Sequence, residues 1–189
     1  MNSYAANPLI FIILTIVSFL QFIMILRFLF EIMRVDFYNP VSQFIFKVTN
    51  PILSPLRTLP LSFGKYDLII IFLIISLTAL KLYIPFYFKA FDYSLNYLLI
   101  VAFGTAIKEI LNVFWYAVII GAIGSWFMAF NRHPIFSLID QLCEPLYRPI
   151  RRIMPQMSGI DFSPIVLLFL IQLANLIIIP PIFGLTQFF

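Results

Sequence analysis

The sequence predicts an all-α integral membrane protein with four transmembrane helices, built from two tandem parallel repeats. Hydrophobic residues make up 62% of its 189 positions and charged residues 11%, whereas soluble domains average about 45–50% and about 25%. Four apolar segments are long enough to cross a bilayer, and the segments between them repeat one proline pattern. Each repeat is predicted to hold a short amphipathic interfacial helix and a proline-rich turn between its two spans.

The spans follow from the length of helix that a bilayer requires. Crossing about 30 Å of hydrocarbon takes about 20 apolar residues. We predict the first span at residues 8–33, the second at 68–88 and the fourth at 164–179. Pro180 and Pro181 follow the fourth span and end or kink that helix.

The third span has two possible starts. Apolar segments precede and follow the pair Lys108-Glu109, and together they are too long for one untilted crossing. We predict the span at residues 110–130, after an interfacial lead-in at residues 96–109. One long, tilted helix is the alternative.

The distribution of basic residues predicts the orientation. Two long connections hold eight of the twelve Lys and Arg residues, namely Arg34, Lys47, Arg57, Lys65, Arg132, Arg148, Arg151 and Arg152. Because cytoplasmic loops carry the excess of Lys and Arg, both connections are predicted in the cytoplasm and both termini outside.

The repeat appears when the sequence is shifted by 94 positions. Three prolines and one arginine then coincide, in the pairs Pro40–Pro134, Pro51–Pro145, Pro55–Pro149 and Arg57–Arg151. Asp67 and Asp161 both lie where the next span begins. We therefore predict repeats at residues 1–93 and 94–189, each with its own pair of spans.

Each connection is predicted to contain an amphipathic helix, at residues 40–50 and 134–144. Val41, Phe44, Ile45 and Val48 recur at the spacing of one helical face. Each helix opens on a proline, which suits the first helical position. Each is predicted to end before the next proline, because the residue before proline avoids the helical region. Helices this short are suited to lying at the membrane interface or between the spans.

The two connections also carry a resemblance. The segments RVDFYNPVSQFIFKVTNPILSPLR and DQLCEPLYRPIRRIMPQMSGIDFSPIV are similar to the YggT family of bacterial membrane proteins, called YlmG in other lineages. The resemblance implies an inner-membrane protein with no established enzymatic activity. It also implies association with osmotic stress tolerance and cell division, and, in plastid relatives, with assembly of a membrane cytochrome and nucleoid distribution.

Several function classes are excluded by what the sequence lacks. A single cysteine, Cys143, and a single histidine, His133, rule out an intrachain disulfide and a zinc or haem site of this chain alone. No phosphate-binding loop, dinucleotide fingerprint or hydrolase motif occurs. We expect no catalytic residues, no metal or other cofactor, and no nucleic-acid partner.

The basic residues of the connections are the first candidate site. Arg57, Arg148, Arg151 and Arg152 are predicted to bind anionic lipid headgroups or an acidic loop of a partner. The alternative is that they only orient the protein.

A second set of candidates lies within the spans, comprising Arg27, Glu31, Lys81, Lys108 and Glu109. Arg27 and Glu31 are one turn apart, so they form either a local ion pair near the membrane surface or the polar lining of a pathway. Lys81 is predicted to pair with Glu109, and Lys108-Glu109 to mark the interface.

Further residues have predicted structural roles. Asp67 and Asp161 are expected to cap the second and fourth spans, in preference to binding an ion. Gly121 and Gly124 offer a small-residue face for close helix packing, and His133 is expected to start a helix.

Two functions of different class remain. A scaffold or assembly factor would dock other membrane proteins, or a second copy, on the connections. An oligomeric ion channel or transporter subunit would use the charged residues of the spans, since repeated architectures often place a pathway at the interface of the repeats.

Overall fold

A computed structural model of the chain describes residues 8–57, 62–63, 66–89, 94–127, 133–154 and 161–188. Within these ranges it contains six α-helices, a two-stranded hairpin and a final 3-10 turn. Four of the helices are long and apolar enough to cross a membrane. The prediction of four long apolar helices is therefore confirmed.

The helices follow one another in the order of the predicted elements. The long helices are α1 (Pro8–Met33), α3 (Leu68–Lys89), α4 (Leu95–Phe127) and α6 (Ser163–Gly184). The connections hold α2 (Pro40–Leu56) and α5 (Pro134–Ile153). The hairpin strands β1 (Ser62–Phe63) and β2 (Tyr66–Asp67) pair antiparallel directly before α3.

Packing between neighbours places the long helices in the sequence α1, α3, α4, α6. Each contacts the next, while α2 lies against α1 and α3, and α5 against α4, α6 and α1. A continuous core runs through all six helices, with fully buried side chains such as Met24, Leu53, Ile70, Val118 and Leu142. The side of the molecule that carries α2 and α5 is called the connection side below.

The third long helix differs from the preferred prediction. Residues 95–127 form one unbroken helix, so residues 96–109 are continuous with the predicted span, as in the alternative of one long helix. Lys108 and Glu109 do not interrupt it, because the Glu109 carboxylate meets Lys81 of α3. At a rise of 1.5 Å per residue the helix is about 50 Å long and exceeds the hydrocarbon thickness. Residues 128–130 of the predicted span lie outside the described residues.

The two connection helices are longer than predicted. The expectation that they end before Pro51 and Pro145 is wrong, since α2 reaches Leu56 and α5 reaches Ile153. All four internal prolines are exposed, and Pro149 also lines the groove between α4, α5 and α6. A proline leaves the carbonyl one turn earlier without its helical bond. Here each lost bond falls on the outer face, where that carbonyl has room to find another donor.

The last helix also passes through its prolines. Pro180 and Pro181 lie inside α6, which continues to Gly184 and then tightens into the 3-10 turn Leu185–Phe188. The apolar helix therefore extends beyond the predicted end at residue 179.

The first helix ends in a left-handed residue. Arg34 has φ 54°, and the Val35 amide donates to the Phe30 carbonyl over 3.0 Å. This is the hydrogen bond of a Schellman C-cap, in which glycine is the usual residue at the Arg34 position. The turn redirects the chain into α2 within a few residues.

Candidate functional site

An arginine–aspartate bridge fixes the first connection. Arg57 follows α2 and donates from Nε to Asp67 Oδ2 over 2.8 Å. The other carboxylate oxygen of Asp67 accepts the Ile69 amide over 3.1 Å. One aspartate thus caps α3, as predicted, and also ties the end of α2 to the start of α3.

The second connection has the same bridge with more contacts. Arg151 donates to Asp161 Oδ2 from Nε over 3.1 Å and from a terminal nitrogen over 2.9 Å. Asp161 Oδ1 accepts the Ser163 amide over 2.8 Å. The other terminal nitrogen of Arg151 binds Glu144 over 2.7 Å. Asp161, one residue before the N-cap Phe162, therefore binds the first amide of α6 and also the last turn of α5.

The bridge shifts the ionisation of Asp161. Partial burial alone would raise the pKa of its carboxyl, but hydrogen bonds from Ser163 and Arg151 outweigh burial and lower the pKa. The ionised carboxylate is thus the form that the fold favours.

Ion pairs within the chain neutralise most of the basic cluster formed by Arg57, Arg148, Arg151 and Arg152. Arg57 is bound to Asp67 and, at 3.5 Å, to Glu31, while Arg148 lies 3.4 Å from Glu144. Among the described residues Arg152 has no ion-pair partner, so it is the cluster's available cation. Lys65 and Arg132 lie outside the described residues. Most of the predicted lipid-binding charge is therefore already balanced within the chain.

Arg27 is buried under α2. Its side chain is 4% exposed, its terminal nitrogen lies 2.6 Å from Glu31, and its guanidinium carbon lies 3.4 Å from the centre of the Phe46 ring. Arg27 Nε, its second terminal nitrogen and the buried Ser42 hydroxyl find no hydrogen bond within the described part of the chain. The local ion pair of the prediction is present, but the guanidinium is covered by α2 and stacked on a ring.

Deeper in the helices, polar residues form a second group. Lys81 of α3 contacts Glu109 of α4, which is the predicted pairing. At 1.5 Å per residue, Lys81 lies about 20 Å from the start of α3 and about 12 Å from its end. Closer to the connection side, Gln21 of α1 donates to Thr78 of α3 over 2.6 Å.

The Lys81–Glu109 pair borders a cavity of about 580 Å³. The cavity lies between α1, α4 and α5 and is lined mainly by apolar side chains, with Ser18 and Asn112 as further polar groups. Asn112 also lines a separate groove on the other side of α4. Polar side chains therefore reach from the middle of the helix array to its outer surface.

That groove, of about 660 Å³, runs between α4 and α6. Its polar side chains are Lys108, Asn112, Gln172, Asn175 and Gln187. A third groove, of about 490 Å³ between α4, α5 and α6, is lined by apolar side chains and borders the last turns of α5.

The small-residue face of α4 packs against α5. A Cβ atom on Gly121 would lie 3.1 Å from Ile139, and one on Gly124 would overlap the Phe136 ring. His133 starts α5 by accepting the Ile135 amide at Nδ1 over 3.3 Å, as Asn39 starts α2 by accepting that of Val41. The packing and helix-start roles follow the sequence predictions.

Cys143 is a buried side chain of α5. It is 1% exposed, and burial, with a smaller contribution from Asp140, raises the pKa of its thiol to about 12. No cluster of three or more metal-binding side chains occurs among the described residues. The arrangement of the described residues offers ion pairs and exposed surfaces on the connection side.

Sequence reasoning missed the arginine–aspartate bridges and the α4–α6 groove. The bridges had a signal, because arginine and aspartate are ten residues apart in both connections. The groove had none, since its residues come from helices distant in sequence.

Comparison with known proteins identifies the family. One family model, CCB3/YggT, matches residues 6–87 and again residues 100–182. The chain belongs to the CCB3/YggT family. Uncharacterized protein YggT of Escherichia coli K12 is 36% identical over 90% of this chain and 88% of its own length. The resemblance seen in the two connections is thereby confirmed.

Other members of the family are similar over comparable lengths. Uncharacterized protein PA0392 of Pseudomonas aeruginosa is 34% identical over 94% of this chain and 91% of its own length. A Haemophilus influenzae protein is 37% identical over 85% of this chain and 86% of its own length. No solved structure matches the chain.

Proposed function

We propose that this CCB3/YggT protein is a non-enzymatic scaffold or assembly factor of the bacterial inner membrane, with α2 and α5 presented to the cytoplasm. The observation that carries the proposal is the way these two helices are joined. Asn39 donates to the Pro134 carbonyl over 2.8 Å, and the Asp36 amide donates to Gln141 over 2.7 Å. The two connections thus form one surface, which we call the platform.

The platform is tied to the spanning helices and exposes large side chains. The two arginine–aspartate bridges fix its far ends to α3 and α6. Several large side chains on it are exposed, namely Phe37, Tyr38, Phe44, Ile135 and Ile153. A preformed surface loses little entropy when a partner binds, which suits a docking role.

The proposal includes an origin by duplication. The single family model matches two segments of the chain, and the cap, proline and bridge contacts recur at a spacing of 94 residues. Two parallel copies would each contribute one half of the platform. Osmotic stress tolerance, cell division and assembly of a membrane cytochrome are the processes in which such a scaffold would act.

Crosslinking in living cells tests the scaffold. A photo-crosslinking amino acid at Phe44 on the platform is compared with one at Phe11, an exposed side chain near the start of α1. We expect discrete adducts from position 44 that weaken when Arg57→Gln releases the bridge. Position 11 should give lipid adducts only. Equal adduct patterns at both positions would contradict a platform-specific partner.

Cysteine labelling tests the orientation. With Cys143→Ala as background, Arg152→Cys on the platform should react with a membrane-impermeant maleimide only after the cells are opened. A cysteine at position 89, where α3 ends, should react in intact cells. The reverse labelling pattern would show that the platform lies outside the cell and the termini in the cytoplasm.

A channel or transporter subunit is the second candidate. It is favoured by the polar side chains that extend from Ser18 through Lys81 and Glu109 to Asn112. Flux of K⁺, Na⁺ and Cl⁻ into liposomes containing the purified protein tests it. We would conclude that the protein is a channel or transporter subunit if Glu109→Gln abolished the flux and the platform variant Arg152→Gln left it intact.

A further inference from the structure

The polar groove between α4 and α6 holds a cation without a counter-ion. Lys108 is exposed in the groove, and no carboxylate in the described part of the chain forms an ion pair with it. Its neighbour Glu109 points to α3, where Lys81 neutralises it. The same level of the helix array thus contains one balanced and one unbalanced lysine.

The groove continues the polarity of Lys108 along α6. Gln172 and Asn175 are one turn apart on that helix and line the groove with Asn112. Asn175 donates to the Ile171 carbonyl over 3.4 Å, while its side-chain oxygen is buried with no hydrogen bond in the described structure. Unpaired polar groups facing hydrocarbon are costly, and polar side chains on spanning helices commonly bond across helix–helix interfaces.

The position of Lys108 lies inside the crossing part of α4. Gly104 packs against Phe183, near the end of α6, so Lys108 is one helical turn further in. That turn corresponds to about 6 Å of depth. A long lysine side chain can reach toward the interface from there. Gln172 and Asn175 lie deeper along α6 than Lys108, so their amide side chains are further from that interface.

We propose that this groove docks a transmembrane helix of another protein that carries a carboxylate at the level of Lys108. The inference rests on the proposed scaffold function and specifies one of its partners. The carboxylate would form an ion pair with the Lys108 ammonium. Amide-bearing or hydroxyl side chains one turn away on the partner would bond Gln172, which is exposed in the groove.

Charge argues against a second copy of this chain as the occupant. The spanning helices contain two carboxylates, Glu31 and Glu109, and both are already in ion pairs. A symmetric contact through the groove would bring two Lys108 ammonium groups together. The partner must therefore bring its own acid, which this chain does not offer at that depth.

A designed probe helix tests the groove directly. The probe is a 22-residue peptide of Leu and Ala with lysines at both ends. It carries one Glu between its centre and the end that lies on the side opposite the platform. The peptide and the full-length protein are placed together in phosphatidylcholine vesicles. Binding is measured by energy transfer between labels on the two. We expect the Glu peptide to bind about tenfold more tightly than its Gln twin. This preference for the Glu peptide should be absent in the Lys108→Met variant. The Lys108→Glu variant should instead prefer a peptide that carries Lys in place of the Glu.

Matched controls separate this inference from folding and from the scaffold. Lys47→Met, on the platform, should leave the Glu preference unchanged. The circular dichroism spectrum of Lys108→Met should match that of the parent. If Glu and Gln peptides bind equally, or the preference survives Lys108→Met, the groove inference is wrong. Platform adducts at Phe44 in cells would still support the scaffold in that case, and their absence would count against the scaffold alone.

Discussion

A double-mutant cycle on the Arg151–Asp161 bridge would test the central element of the platform. The variants are Arg151→Gln, Asp161→Asn and the combination. Asp161→Asn keeps an oxygen that can still accept the Ser163 amide, so it removes the charge and preserves the cap. The cycle therefore isolates the ion pair between α5 and the start of α6 from the capping of α6.

The expected coupling follows from the geometry. Arg151 gives two hydrogen bonds to one carboxylate oxygen, and bonds to charged groups are worth about 1.5–3 kcal/mol when buried. The Arg151 side chain is 38% exposed and that of Asp161 26%, so solvent screening reduces this toward the range of surface pairs. We expect a coupling free energy of about 1 kcal/mol. Arg151→Gln alone should cost more than Asp161→Asn, because it also loses Glu144.

Unfolding of the purified protein in mixed micelles with rising dodecyl sulfate, followed by tryptophan fluorescence, measures the four free energies. Arg152→Gln is the matched control, since the neighbouring arginine has no described ion-pair partner, and it should change stability by less than about 0.5 kcal/mol. Additive effects of Arg151→Gln and Asp161→Asn, within about 0.3 kcal/mol, would show that the bridge contributes nothing.

Four further predictions concern other parts of the structure. Gly124→Ala should destabilise by about 1–3 kcal/mol because its methyl overlaps the Phe136 ring, and added Phe136→Leu should recover part of the loss in the same unfolding assay. Arg34→Gly should raise stability by about 0.5–1 kcal/mol by relieving the left-handed φ of 54°; a loss would mean that the side chain matters more than the backbone. The lowered pKa of Asp161 contributes stability above its unfolded value of 3.8 that is lost as pH falls through the lower folded value, so Asp161→Asn should unfold with a shallower acid dependence. Cys143, buried and with a pKa of about 12, should resist maleimide at pH 7.5 in the folded protein and react after denaturation.

The sequence alone predicts the number of long apolar helices correctly, but it misplaces the ends of several helices. The four apolar helices are evident because crossing hydrocarbon demands long uncharged runs. The sequence predicts that the connection helices end before Pro51 and Pro145, since a proline normally ends a helix. Here all four prolines are exposed, which can be judged only once the packing of α2 and α5 is known.

The candidate site was predicted in part. The pair Lys81–Glu109 followed from two isolated charges on apolar helices. The predicted start of the third span after Lys108-Glu109 differs from the structure, because a charged pair does not end a helix when one of its charges is neutralised by a neighbouring helix. Arg57 and Asp67 were each singled out, but their contact depends on how the hairpin returns the chain to α2, and composition carries no information about that path.

The close packing of Gly124 against the Phe136 ring has a consequence for exchanges between the two connection helices. Ninety-four positions earlier stand Phe30 and Ser42, both buried, so the large and the small residue occupy opposite positions in the two pairs. A chimera with α2 in place of α5 would put a serine where Phe136 packs on Gly124 and leave a void there. The reverse exchange would place a phenylalanine at the buried position of Ser42. The two connection helices are therefore not interchangeable, although their arginine–aspartate bridges match.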